Sequence, residues 1–310
     1  MRNKSLIAGL LVVTLLVFGA LLWIHHLDTV KEMEELRRQA EEDGGYIDIW
    51  AEELRTVEEE LRNLDIDDYG DAGKGLGSYL FLVTEPDYGV MTDVEPALTE
   101  YGITGHLCVS ESSFPDDEGN CSRWQAGLLT EVDWDFCIEV TDDTDISDLL
   151  YRMWLIDLPE PVAAYLPDGS CLKNKAQELL DAGISIVVIK DNIPDELPAG
   201  ITAVPCVGIS ADDMSSAASS YASDGICFAF TIGFEGSDDQ FSYDSLDSAV
   251  DTGNAISESY GAGIADFTRM KELTDKRNAL VSEAINKNIE KRDELIRRRE
   301  ELQELITSRN

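Results

Sequence analysis

Between Ser78 and Asp191 short apolar runs alternate with helical segments, and few folds accommodate that alternation. The first run, Tyr79-Leu80-Phe81-Leu82-Val83, breaks into Thr84-Glu85-Pro86-Asp87-Tyr88-Gly89, which puts polar side chains at a strand's C-terminal end. A helix ending through Glu95 to Ile103 leads into a strand from His106 to Val109, and a second helix, Arg123 to Val132, precedes one from Asp135 to Val140. The strand Val162 to Leu166 stops at Pro167-Asp168-Gly169. A helix from Lys175 to Ala182 then ends on Gly183 before the strand Ile184 to Ile189. Strands at Ile201 to Ile209 and Gly225 to Ile232, with helices over Ala211 to Ser223 and Tyr243 to Tyr260, bring the number of strand-and-helix units to seven. Strands separated by helices imply a parallel α/β sheet or barrel, whose working face lies at the strands' C-terminal ends.

Several local patterns sharpen that expectation. Pro96-x-Leu98-x-x-Tyr101-Gly102-Ile103, Trp124-x-x-x-Leu128, Trp134-Asp135-Phe136-Cys137-Ile138-Glu139 and Pro167-x-Gly169 follow one another in order. Over about Gly77 to Leu273 the chain resembles the polysaccharide deacetylase (NodB-like) family, which removes acetyl groups from chitin-like or peptidoglycan sugars. The resemblance implies a distorted (β/α)7 barrel over 78–264.

It also implies where the chemistry should sit, and there the chain departs from the family. The family's paired aspartates at the end of the first strand fall on Thr84 and Glu85, with Asp87 nearby. Its two metal-ligating histidines fall on Glu139 and Asp143, which removes both imidazoles from a zinc-type site. The turn's arginine falls on Tyr165, ahead of Leu166-Pro167-Asp168-Gly169, and the last strand lacks the family's histidine. The resemblance therefore implies a pseudo-deacetylase with no metal cofactor and no catalytic set. As a sugar-binding module it would use Tyr88, Tyr165 and Asp168, with Trp124 and Trp134 as further rings that either stack on a sugar or pack in the core. The alternative is an active hydrolase in which Glu85, Glu139 and Asp143 hold one divalent cation and Asp87 or Asp168 acts as base.

The flanks carry a different message. Arg2 and Lys4 precede Ser5 to Ile24, an uncharged apolar run long enough for a bilayer's hydrocarbon core at about 1.5 Å per residue. Residues 1–26 are expected to be a cytoplasmic head and uncleaved anchor, with the rest outside the cell; a cleaved signal peptide is the rival. Leu54, Val57, Leu61 and Leu64 form a seam in an acidic helix over 27–65, and 66–77 is a Gly- and Asp-rich linker. A second charged helix fills 265–310. The first helix carries 5 basic against 14 acidic residues, and Arg269 to Arg309 carries 11 against 9, so the two are expected to pair as an antiparallel coiled coil. Self-pairing between chains is the alternative.

Only six of the 24 lysines and arginines remain for the domain between the helices. The net charge of −38 argues against nucleic acid as a partner and against direct docking on anionic lipid. The partner that the family resemblance implies is a cell-wall glycan. Cys108, Cys121, Cys137, Cys171, Cys206 and Cys227 all follow the anchor, where disulfides persist. Cys206–Cys227 and Cys108–Cys121 are the first pairings expected, with buried free thiols as the alternative.

Overall fold

The computed structural model describes residues 31, 33–38, 46–113, 123–234 and 238–309, and among them no helix is long and apolar enough to cross a membrane. The expected anchor at 5–24 lies outside the described residues. Two compact units emerge, one combining the first 68 residues with Ile285–Asn310 and the other covering Tyr69–Ala284.

The larger unit is a closed parallel barrel. Its strands are β1 (Ser78–Val83), β2 (His106–Val109), β3 (Asp135–Glu139), β4 (Ala163–Asp168), β5 (Ile186–Asp191), β6 (Thr202–Gly208) and β7 (Phe228–Ile232). Each pairs in parallel with the next, and β7 and β2 both pair with β1 to close the ring. A two-residue strand, β8 (Gly263–Ile264), takes the first part of the β1 edge, Ser78 and Tyr79, while β2 takes only Leu82 and Val83. The seam between β1 and β2 is thus split at its lower end.

Period-two alternation sorts the side chains between two cores. Leu80, Leu82, Cys108, Cys137, Ala163, Tyr165, Ile186, Val188, Val204 and Ala229 face the lumen, and Phe267 and Met270 pack with them. Alanine and cysteine on β2, β3, β4 and β7 leave room inside the ring for Leu80, Leu82, Tyr165 and Ile186. The outer face carries the bulk: Tyr79 stacks on Phe228 at 5.9 Å and Phe81 on Phe230 at 5.2 Å, beneath the surrounding helices.

Those helices are α2 (Glu95–Glu100), α3 (Arg123–Glu131), α4 (Ile146–Leu155), α5 (Leu172–Asp181), α6 (Met214–Ser223), α7 (Tyr243–Tyr260) and the start of α8 (Phe267–Arg309). The sequence pattern does not anticipate α4. Asp145 caps it by accepting from the Asp148 N–H at 3.0 Å, and Ile146, Leu149 and Met153 form its buried stripe. α7 begins on Ser242, whose hydroxyl accepts from the Ser245 N–H, and ends on Gly261 at φ 74°. Its Gly253 lies against Tyr79, where a Cβ would come within 2.5 Å of the phenol oxygen.

In the smaller unit α1 (Tyr46–Asn63) packs against the end of α8. Trp50, Val57 and Leu302 are its buried centre, bordered by Leu54, Leu61, Leu295, Leu305 and Ile306. Glu53 pairs with Arg298, and Asn288 Nδ2 donates to the Asp68 carbonyl at 2.6 Å, so the helices run antiparallel within one chain.

The expected Cys206–Cys227 disulfide is corrected: both are free thiols. Cys206 is opposite Ala229 in the β6–β7 register, which leaves Cys227 one layer lower in the lumen. Cys108 is a buried free thiol as well, and Cys121 lies outside the described residues.

Candidate functional site

The same alternation that fills the lumen delivers polar groups to its C-terminal mouth. Thr84 continues the inward set of β1, Glu139 ends that of β3, and Lys190 follows Ile186 and Val188 on β5. A loop from the end of β7 turns back over them. The Gly233 N–H donates to the Asp239 carbonyl at 2.6 Å and the Phe241 N–H to the Gly233 carbonyl at 2.7 Å, which tucks the Asp239 side chain into the mouth. There Lys190 Nζ lies 3.4 Å from Asp239 Oδ1, and Thr84 Oγ1 donates to Oδ2 at 3.4 Å. Gly208 is required beneath this loop, since a Cβ would collide with the Asp238 backbone.

Glu85 and Glu139 share the rim. Burial, and secondarily the charge of Glu85, hold the Glu139 carboxyl above its ordinary range. Glu85 in turn accepts from the Phe234 N–H at 3.2 Å. Asp143 does not join them: it is exposed on the turn after β3. Among the described residues no group of three or more His, Cys, Asp and Glu is arranged to hold a metal. The donor set at the mouth fits a divalent cation poorly, because an ammonium already neutralises its most buried carboxylate.

The other residues singled out from the sequence take structural or surface roles. Asp168 Oδ1 accepts from the Ser170 N–H at 2.8 Å and from Asn192 Nδ2 at 3.1 Å, and these bonds, the Ser170 backbone bond first, hold its carboxyl below the usual carboxylate range. A carboxylate so stabilised is a weak base. Asp87 Oδ1 likewise closes a turn through the Gly89 N–H at 2.7 Å. Tyr165 is only 5% exposed, so its ring belongs to the lumen core and offers no platform for a sugar. Trp134 is buried against Gly105. The Trp124 side chain lies outside the described residues. Tyr88, at 54% exposure, does offer a free ring beside the mouth-forming loop.

Sequence reasoning missed Lys190 and Asp239. Lys190 was findable as one of six basic residues in the domain and the only one in phase with an inward-facing strand. Asp239 had no such signal, because its position depends on the return of a loop.

The fold defines a parallel α/β barrel protein with a lysine and carboxylates at its working end. No protein-family model matches the chain, and no curated protein matches it.

Proposed function

We propose that the barrel is a carbohydrate-binding module of the cell envelope, a deacetylase-like scaffold in which binding is retained without metal-dependent hydrolysis. The observation that carries this reading is the Lys190–Asp239 pair. An ammonium and a divalent cation compete for the same buried carboxylate, and here the ammonium has it. What surrounds the pair is suited to hydroxyl and amide groups: Glu85 and Glu139 accept, Lys190 donates, and Tyr88 can stack on a pyranose face. The membrane anchor at 5–24 would hold such a module outside the cell, with α1 and α8 linking it to envelope partners.

Saturation-transfer NMR with N-acetylglucosamine oligomers on the full chain in detergent tests this. Transfer to the acetamido sugar that weakens in Tyr88→Ala and Lys190→Met supports it. A spectrum without transfer at millimolar oligomer would remove the carbohydrate reading.

A further inference from the structure

Outside the ring, α5 and the loop that joins β5 to β6 form the two walls of a trough of about 820 Å³, the scale of a small-ligand site. α5 lays Leu172, Ala176 and Leu180 along one wall, at the i, i+4, i+8 spacing that keeps them on a single stripe. The loop supplies Pro194, Leu197 and Pro198 on the other. Both ends are pinned by the fold. A Cβ on Gly169 would come within 2.6 Å of the Asn192 carbonyl oxygen, and Asn192 itself holds φ 55° while its amide donates to Asp168 Oδ1 at 3.1 Å. At the far end a Cβ on Gly200 would already touch Leu180.

Two opposite charges line this apolar trough, Lys173 on the helix wall and Glu196 on the loop wall. They do not reach each other, and among the described residues neither has an ion-pair partner. Lys175, two residues further along α5, behaves differently: it pairs with Glu178 at 3.3 Å and donates to the Thr144 carbonyl at 2.8 Å. The trough therefore offers a cation and an anion on facing walls, with leucine, proline and alanine between them.

We propose that the trough binds a short peptide with apolar side chains and free termini, its carboxylate on Lys173, its ammonium on Glu196 and its side chains on the leucine and proline walls. From Lys173 to Leu180 the helix rises roughly 10 Å, the span of about three extended residues. The side-chain amides of Gln177 and Asn192, whose nitrogens donate to Asp181 and Asp168, keep carbonyl oxygens for the peptide N–H groups. A zwitterion uses both charges of the lining, whereas an amphiphilic monoanion would use Lys173 alone and a monocation Glu196 alone. It also carries no net charge, so the −38 of the chain does not repel it.

Isothermal titration calorimetry of the tripeptide leucyl-alanyl-leucine into the full chain in lipid nanodiscs tests this. The expected result is saturable binding that weakens about tenfold or more when the peptide is N-acetylated, and likewise when it is C-amidated, as charge-assisted bonds are lost. Lys173→Met should lower the affinity for the free acid to that for the amide and leave the amide's unchanged; Glu196→Gln should do the same for the acetylated peptide. Both residues are exposed, so neither substitution threatens folding. Lys74→Met removes a cation that pairs with Asp71 outside the trough, and it should change nothing. Binding that is indifferent to blocked termini or to the two variants would reduce the trough to an apolar crevice and overturn the proposal. Tighter binding of hexanoate than of the tripeptide, or no saturable binding at millimolar peptide, would also overturn it.

Discussion

Lys190 Nζ stands 3.4 Å from Asp239 Oδ1, and the carboxylate it meets is only 4% exposed. A pair of this kind holds little net stability against a hydrophobic replacement, but breaking it from one side leaves a charge in a poorly solvated place. Lys190→Met should cost about 1–3 kcal/mol in urea unfolding, the range for stranding a buried polar group. Asp239→Asn in that background should recover part of the loss.

Two glycines with positive φ separate backbone strain from steric conflict. A Cβ on Gly102, at φ 68°, would meet no atom within 4 Å, whereas a Cβ on Gly225, at φ 67°, would be driven into the Gly73 carbonyl. Gly102→Ala should cost about 1 kcal/mol, the penalty of a left-handed non-glycine. Gly225→Ala adds overpacking against backbone, about 1–3 kcal/mol more, and should lower Tm further.

Leu302 is the fully buried residue between α1 and α8. Leu302→Asp places a charge there, and the smaller unit has few other apolar contacts to hold it. Hydrogen exchange across Tyr46–Asn63 should accelerate to that of an isolated, marginal helix, while β1 to β7 keep their protection.

The pH dependence of stability should carry a signature of His106. Burial depresses its pKa from 6.5 to about 4, so the unfolded chain takes up the proton first as pH falls. Its contribution is intact above pH 6.5 and is lost progressively toward pH 4, about 3 kcal/mol at full protonation. Asp135, its register partner on β3, is raised by burial and by the charges of Asp266 and Asp133 and opposes this slope. The urea midpoint should therefore fall more steeply between pH 6.5 and 4.5 in the native chain than in His106→Gln.

Much of the barrel was legible because its strands are buried on both faces. Runs such as Tyr79 to Val83 and Ile186 to Ile189 then read as continuous apolar segments, with helices between them. α4 escapes notice because its cap, Asp145, sits in an acid-rich run where no single carboxylate stands out. β8 is too short to leave a pattern. At the mouth, Glu85 and Glu139 are legible from strand ends, but Asp143 follows from spacing alone, and one turn beyond a strand is enough to carry it to the surface. Tyr165 resembles a stacking ring only until strand parity is applied; the same parity that puts Ala163 in the lumen puts Tyr165 there. Asp239 depends on loop closure, which no local signal encodes.

Metal content and acetate release, measured together, bear most directly on the central claim. The full chain would be incubated with Zn²⁺, Mn²⁺, Mg²⁺ and Ca²⁺, passed through gel filtration, analysed by mass spectrometry and assayed on acetylated sugar oligomers. The expected result is a protein that carries no stoichiometric ion at the barrel mouth and releases no acetate. One tightly held ion that is lost in the Glu85→Ala, Glu139→Ala double variant, together with acetate release, would contradict the account and make the barrel an active hydrolase.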